Sequence, residues 1–170
     1  RADSTAEDAS AENTRLTDAF LSAKRIEGCS EKSLSYYRKT IETMSEKIGK
    51  GITHITTNDL RSYLTGYQTE RKSSKVTIDN TRRILSSFFS WLEDEDYILK
   101  SPVRRIHKVK TAVTIKETYT DEALETMRDH CDSLRDLALI DMLASTGMRV
   151  GELVLLNRDD INFEERECVV

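Results

Sequence analysis

The sequence predicts a mainly α-helical protein: a four-helix bundle, a basic linker, then a second and incomplete unit of helices running into a strand. Three observations carry this. Before residue 100, apolar residues recur at steps of three and four in successive segments, the spacing of helices with one buried face. The only proline, Pro102, falls in a run from Lys100 to Lys116 that holds six Lys or Arg and no acid. Charge also reverses along the chain, from a net +7 over residues 14–110 to a net −8 over residues 111–170, within an overall −4. A basic unit beside an acidic one implies different tasks, and the basic one invites an anionic partner.

The opening "RADSTAEDASAEN" is small, polar and acidic, so residues 1–13 are expected to be a disordered tail. A first helix fits Leu16 to Glu27, with Thr14 as N-cap and Gly28 past its end. The second is capped by Ser30 and closed by Gly49, with Leu34, Tyr37, Ile41, Met44 and Ile48 as its stripe. The third starts at "TTNDL", where Thr56 and Asp59 have capping-box spacing. The fourth follows "SSK" and lines Ile78, Thr81, Leu85, Phe88, Phe89 and Leu92 on one face. Together these make a bundle over residues 14–99. Proline and the lack of helical period make residues 100–118 a basic linker. Helical patterning returns after Thr120 in "DEALETMRDHC" and in "SLRDLALIDMLAS", whose apolar residues on nearly every side predict burial. "NRDDINFEERECVV" reads as turn, acidic loop and the start of a strand, so residues 119–170 form only part of a domain.

Other classes are disfavoured. No run approaches the roughly 18 uninterrupted apolar residues of a membrane span, and no signal-peptide pattern opens the chain. Cys29, Cys131 and Cys168 are scattered and odd in number, which argues for reduced thiols in a cytosolic setting. They share no metal-ligand spacing with His54, His107 and His130, so no metal and no cofactor is expected.

At 100° per residue, the second helix turns Lys32, Ser35, Tyr36, Lys39 and Thr43 away from its apolar stripe. The fourth turns out Asn80, Arg83, Ser87 and Ser90, with Lys75 and Thr77 in its first turns. Lys and Arg suit phosphates, and hydroxyls and amides suit phosphates or base edges. A polar outer face also fits any soluble helix. What distinguishes these two is the neighbouring linker, whose Arg104, Arg105, Lys108 and Lys110 meet no acid, and the net +7 of the whole unit.

In "LASTGMRVGELVLL", Arg149 and Glu152 interrupt an apolar run. They stand at i, i+3 and can simply pair with each other. Alternatively, Gly147 turns the chain so that Arg149 lies in the first turn of the next helix, where free N–H groups and the dipole favour an anion such as phosphate.

"TGMRVGEL" after an apolar helix resembles the first catalytic-arginine motif of the tyrosine recombinases, the phage-integrase and Xer-like site-specific recombinases. "SEKSLSYYRKTI", "SKVTIDNTRRILSSFFSWLEDEDYILKSPV" and "YTDEALETMRDHC" extend the resemblance over residues 14–170. It implies a SAM-like core-binding bundle, a linker along the DNA, and the first helices and first strand of an α/β catalytic domain, the two domains forming a clamp on duplex DNA. It puts the second and fourth helices at the major groove. Arg149 becomes one of two arginines on the scissile phosphate, with Glu152 supporting it. The implied reaction is strand exchange through a 3′-phosphotyrosyl intermediate, without metal or nucleotide. The family's lysine, His-x-x-Arg pair, later His or Trp and nucleophilic tyrosine all follow the first strand, and none has a counterpart up to Val170. This chain is therefore expected to bind DNA and cut nothing, as a piece of a longer integrase or a natural truncation. The whole enzyme is expected to be a tetramer on DNA and this chain a monomer, cytoplasmic and nucleoid-associated. A non-catalytic DNA-binding regulator and a helical protein-interaction module are the alternatives.

Overall fold

The structure, a computed structural model, describes residues 2–110 and 116–169, and the side chains of residues 9–70, 72–110 and 116–169. Two compact units divide the chain, Arg1–Val113 and Thr114–Val170. The first holds α1 (Ala2–Ile26), α2 (Glu31–Ile48), α3 (Thr57–Arg71) and α4 (Lys75–Asp94), with short 3-10 turns at Ile52–His54 and Pro102–Arg105. The second holds α5 (Asp121–Asp129), α6 (Leu134–Thr146), α7 (Val150–Leu155) and a 3-10 turn at Arg158–Asp160. The strands β1 (Ile161–Asn162) and β2 (Glu167–Cys168) complete it.

Local chemistry sets the helix ends of the first unit. Ser30 caps α2 by accepting the Ser33 N–H, and Gly49 closes it in the left-handed region at φ 66°. At α3 the capping box is reciprocal: Asp59 donates its N–H to the Thr56 hydroxyl, while its carboxylate accepts the Thr56 N–H at 2.9 Å. Ser74 caps α4. The apolar stripe of α4 is buried as patterned, Thr81 included, and Leu34, Ile41 and Met44 of α2 join it. Phe20 from α1 fills the centre, its ring 5.2 Å from Phe88 in an edge-on contact and 5.7 Å from Trp91.

The structure departs from the sequence reading at both ends of this bundle. Residues 2–13, expected to be a disordered tail, are the first half of α1. Thr14 is therefore not a cap; its hydroxyl donates to the Ser10 carbonyl inside the helix. Composition explains the miss: alanines and glutamates favour helix without any apolar period, and acids suit a helix N-terminus. A tertiary anchor adds to this. The Asn13 amide donates to Ser45 Oγ at 2.8 Å and to the Lys50 carbonyl at 3.0 Å, and its oxygen accepts the Ile52 N–H at 2.7 Å.

At the other end, the expected linker begins as part of the bundle. Ser101 and Val103 are buried, and Ile106 and Val109 pack against the core. Val103, Ile106 and Val109 recur every third residue, a spacing that serves a strap pressed on a surface and that no helical period reveals. Residues 111–115 lie outside the described residues.

In the second unit, Thr120 and Ser133 cap α5 and α6, and Gly147 ends α6 at φ 67°. The burial expected for α6 is not found: among the described residues of this unit none is buried, and Leu134 is 85% exposed. Three short helices and a hairpin do not enclose a core. In place of one strand start there is an antiparallel pair, with Ile161 opposite Cys168 and Asn162 opposite Glu167. Its turn is held by Asn162, whose side-chain oxygen accepts the N–H groups of Glu164 and Glu165.

Two of these contacts can be tested directly. Asn13→Ala leaves the Ile52 N–H without its acceptor and is expected to cost about 1–3 kcal/mol in urea unfolding, whereas a dispensable tail residue would cost nothing. The Asp59 carboxyl is held down to about 2 from 3.8, first by the Lys50 ammonium at 2.7 Å and then by Thr56. A depressed carboxyl stabilises the fold above its unfolded value. The stability gap between the wild type and Asp59→Asn should therefore be full at neutral pH and close as pH falls from about 4 through about 2.

Candidate functional site

The inner stripes of α2 and α4 face the core, and outward residues of the two helices meet at the surface around Tyr36. Tyr36, half-exposed at 49%, stands between two hollows there. One, of about 350 Å³, is lined by Tyr36, Tyr37, Asn80, Arg83, Ile84 and Ser87. The other, of about 280 Å³, is lined by Tyr36, Lys39, Thr40, Thr43, Tyr63, Tyr67 and Thr81. Six residues picked from the helical faces, Tyr36, Lys39, Thr43, Asn80, Arg83 and Ser87, thus line these two hollows. Lys32 and Ser35 are exposed nearer the start of α2, and Lys75 is exposed in the first turn of α4. Thr77 is only half-exposed, and its hydroxyl lies 3.0 Å from that of the cap residue Ser74.

The cations divide into two groups. Arg25 pairs with Glu31, Arg38 with Asp18 and Glu42, Lys47 with Glu70, Lys50 with Asp59 and Arg82 with Asp79. Lys32, Lys39, Lys75 and Arg83 make no ion pair among the described residues, nor do Arg105, Lys108 and Lys110 on the strap. Arg104 lies 3.6 Å from Glu93, and its side chain is 62% exposed. The unpaired cations are the ones whose field is available to an outside anion.

Sequence reasoning overlooked Thr40 in the second hollow, which Tyr63 and Tyr67 reach from the core, Tyr63 being buried and Tyr67 packed against the cluster. Thr40 follows Tyr36 by four residues, which was a usable signal. It also overlooked Asp79 and Arg82, whose i, i+3 spacing looks like a solvated pair but is nearly buried, with side chains 11% and 14% exposed. In the second unit it overlooked Arg128, which ties α5 to α6 by donating to Asp141 at 2.7 Å and also donates to Glu125 of its own helix at 2.5 Å.

Arg149 is placed one position earlier than expected. It is the N-cap of α7, with extended backbone at φ −76° and ψ 148°, rather than a residue of its first turn. Glu152 holds it at two points, accepting the Arg149 N–H at 2.7 Å on one oxygen and Arg149 Nη1 at 2.8 Å on the other. An arginine side chain has no acceptor, so this cap runs one way, from carboxylate to backbone N–H. These contacts hold the Glu152 carboxyl below its usual range, the backbone N–H being the larger cause and the guanidinium the next. The Arg149 side chain is 87% exposed, and among the described residues its Nε and Nη2 donate to nothing. The ion pair and the readiness for an anion therefore coexist.

A helical bundle with Arg83 and Lys39 beside Tyr36 at its surface, followed by a unit with an exposed arginine after a "TG" helix end, is the class of chain that opens an integrase. The family model described as phage integrase, N-terminal SAM-like domain, matches residues 16–99, and that of the phage integrase family matches residues 114–170. The tyrosine recombinase XerC of Oceanobacillus iheyensis is 31% identical over 156 residues, covering 86% of this chain and 51% of that protein. A XerC-like tyrosine recombinase of Caldanaerobacter subterraneus subsp. tengcongensis is 32% identical over 79% of this chain and 36% of the relative. Among solved structures, a lambda integrase tetramer bound to a Holliday junction superposes with a TM-score of 0.73 at 20% identity, over 88% of this chain and 45% of that one. The chain belongs to the phage integrase family, the tyrosine recombinases. It spans about half the length or less of these two curated relatives. No helix among the described residues is long and apolar enough to cross a membrane.

The Arg149–Glu152 geometry makes a prediction that NMR can check. The Glu152 carboxyl should titrate below 4.5, and Arg149→Ala should raise its midpoint only part of the way back, because the backbone N–H survives the substitution. A complete return to 4.5 would mean that the side chain alone holds the carboxylate.

Proposed function

We propose that this chain is the DNA-binding part and the opening of the catalytic domain of a site-specific tyrosine recombinase. The observation that carries the reading is the convergence of Arg83 with Tyr36, Asn80 and Ser87, and of Lys39 with Tyr36, at the surface of α2 and α4, inside the stretch matched as an integrase SAM-like domain. Lys32, Lys39, Lys75 and Arg83 neutralise backbone phosphates. Asn80, Ser35, Ser87 and the Tyr36 hydroxyl supply the directional contacts that phosphates or base edges accept. Thr77 contributes through its helix-start position, and Arg104, Arg105, Lys108 and Lys110 extend the positive surface along the strap.

Arg149 is the phosphate-binding arginine of this set. Its free Nε and Nη2 meet the scissile phosphate, where a fixed positive charge stabilises the charge that develops as the phosphorus is attacked. Glu152 positions that guanidinium from the other side. In the whole protein the attack comes from a tyrosine, giving a 3′-phosphotyrosyl link that a second DNA end reseals, so the reaction needs no outside energy source. The lambda integrase structures are a dimer on a core site and a tetramer on a Holliday junction. By the same reading the whole protein works as a tetramer on duplex DNA in the cytoplasm, at the nucleoid, while this chain alone is a monomer.

The test is binding of this chain to duplex DNA across a salt series, beside an Arg83→Ala, Lys75→Ala double variant. Affinity should fall steeply with salt, and the double variant should lower the log–log slope by about 1.8, at roughly 0.9 per phosphate contact. A chain that ignores duplex DNA at low salt would overturn the reading and leave these faces merely solvated.

A further inference from the structure

After α4 the chain turns back along that helix, and its ties to the bundle are specific. Near the end of α4, the Glu93 carboxylate accepts the Ser101 N–H at 2.9 Å. From α3, the Thr57 hydroxyl donates to the Pro102 carbonyl at 2.8 Å. The last tie is at the start of α4, where Asp79 Oδ1 accepts the Val109 N–H at 3.1 Å and Arg82 Nε at 2.8 Å. Glu93 and Asp79 are fourteen positions apart, about 21 Å of helix, so the strap retraces most of α4.

A nearly buried carboxylate that receives a guanidinium and a strap N–H on one oxygen is costly to place and costly to break. Asp79 takes no part in the proposed chemistry. What it controls is where the strap leaves the bundle. Lys108 lies close enough for its charge to act on Asp79, while Asn80, the next residue of α4, points outward into the hollow beside Arg83.

We propose that Asp79, held by Arg82, is a positioning residue for DNA binding: it fixes the strap at Val109 so that Lys108 and Lys110 stand beside the first turns of α4 and engage the same duplex. This rests on the DNA-binding reading and adds a residue that touches no DNA itself.

The test places Lys108→Ala, Lys110→Ala in three backgrounds: the unaltered chain, Asp79→Ala, and Val109→Pro. The last removes the strap N–H, together with the Val109 side chain that packs on the core, and leaves the Asp79–Arg82 pair intact, so it reports even if Asp79→Ala fails to fold. In the unaltered chain the double lysine variant should lower the log–log salt slope for a random-sequence duplex by about 1.8. In the other two backgrounds it should change the slope by less than half as much. Amide exchange over residues 106–110 in Asp79→Ala, read without DNA, should speed up about tenfold or more, as expected for one lost buried hydrogen bond. Unchanged exchange in Asp79→Ala, or equal slope changes in all three backgrounds, would overturn the proposal. If the unaltered chain binds no duplex, the DNA reading fails and the positioning role with it, and exchange alone still reports whether Asp79 holds the strap.

Discussion

Burial of the inner face of α4 is the constraint from which the rest of the first unit follows. Phe88, Phe89 and Leu92 have no exposed surface, and Phe88 meets Phe20 of α1 edge-on at 5.2 Å. Each ring of this size removes a large apolar area from water, and edge-on contact adds to that. Once these residues face inward, the helical repeat leaves no freedom for the others: Asn80, Arg83 and Ser87 must face outward. Turning α4 by a single residue step would carry polar residues into the core without partners, Asn80 and Ser87 in one sense or Ser86 and Glu93 in the other. The proposed DNA face is thus a consequence of core packing, and its rigidity comes from the core as well.

Electrostatics then separates two kinds of charge on the same bundle. Cations that fasten helices to one another have carboxylates within hydrogen-bond reach, as Arg38 has Asp18 and Lys50 has Asp59. Exposed pairs of this sort contribute little stability each, typically under about 1 kcal/mol. Their effect on the surface is larger, because a paired lysine no longer projects its field. The field available to an anion is therefore that of the cations without ion pairs, Lys32, Lys39, Lys75 and Arg83 on α2 and α4 and Arg105, Lys108 and Lys110 on the strap, together with Arg61, Lys72 and Lys100.

Most of the bundle was legible in the sequence because its signals are local: Ser30, Gly49 and the Thr56–Asp59 box each mark a helix end by chemistry within four residues. What was not legible depends on partners distant in sequence. Asn13 looks like one more polar residue of an acidic stretch until Ser45, Lys50 and Ile52 supply its bonds from 32 to 39 positions away. The strap hides for a similar reason, since a three-residue apolar spacing identifies no element by itself. In the second unit the apolar pattern of α6 was real, but pattern reports only which face seeks cover. Among the described residues no cover is present, and Val150, Val154 and Leu155 of α7 are exposed with it.

The arginine motif shows why two readings that compete in a sequence need not compete in a structure. A guanidinium has five N–H donors, and Glu152 takes one of them while anchoring mainly on the backbone N–H of Arg149. The pair therefore fixes the start of α7 without consuming the side chain. Because Arg149 is 87% exposed, water screens its attraction to Glu152, and the bond through Nη1 is a weak commitment. A phosphodiester carries the same single charge as a carboxylate but presents two non-bridging acceptor oxygens, which match the unused Nε and Nη2 as a fork. Nothing needs to be broken first. The carboxylate that looked like the arginine's reason for being there holds its backbone in place and leaves most of its donors open.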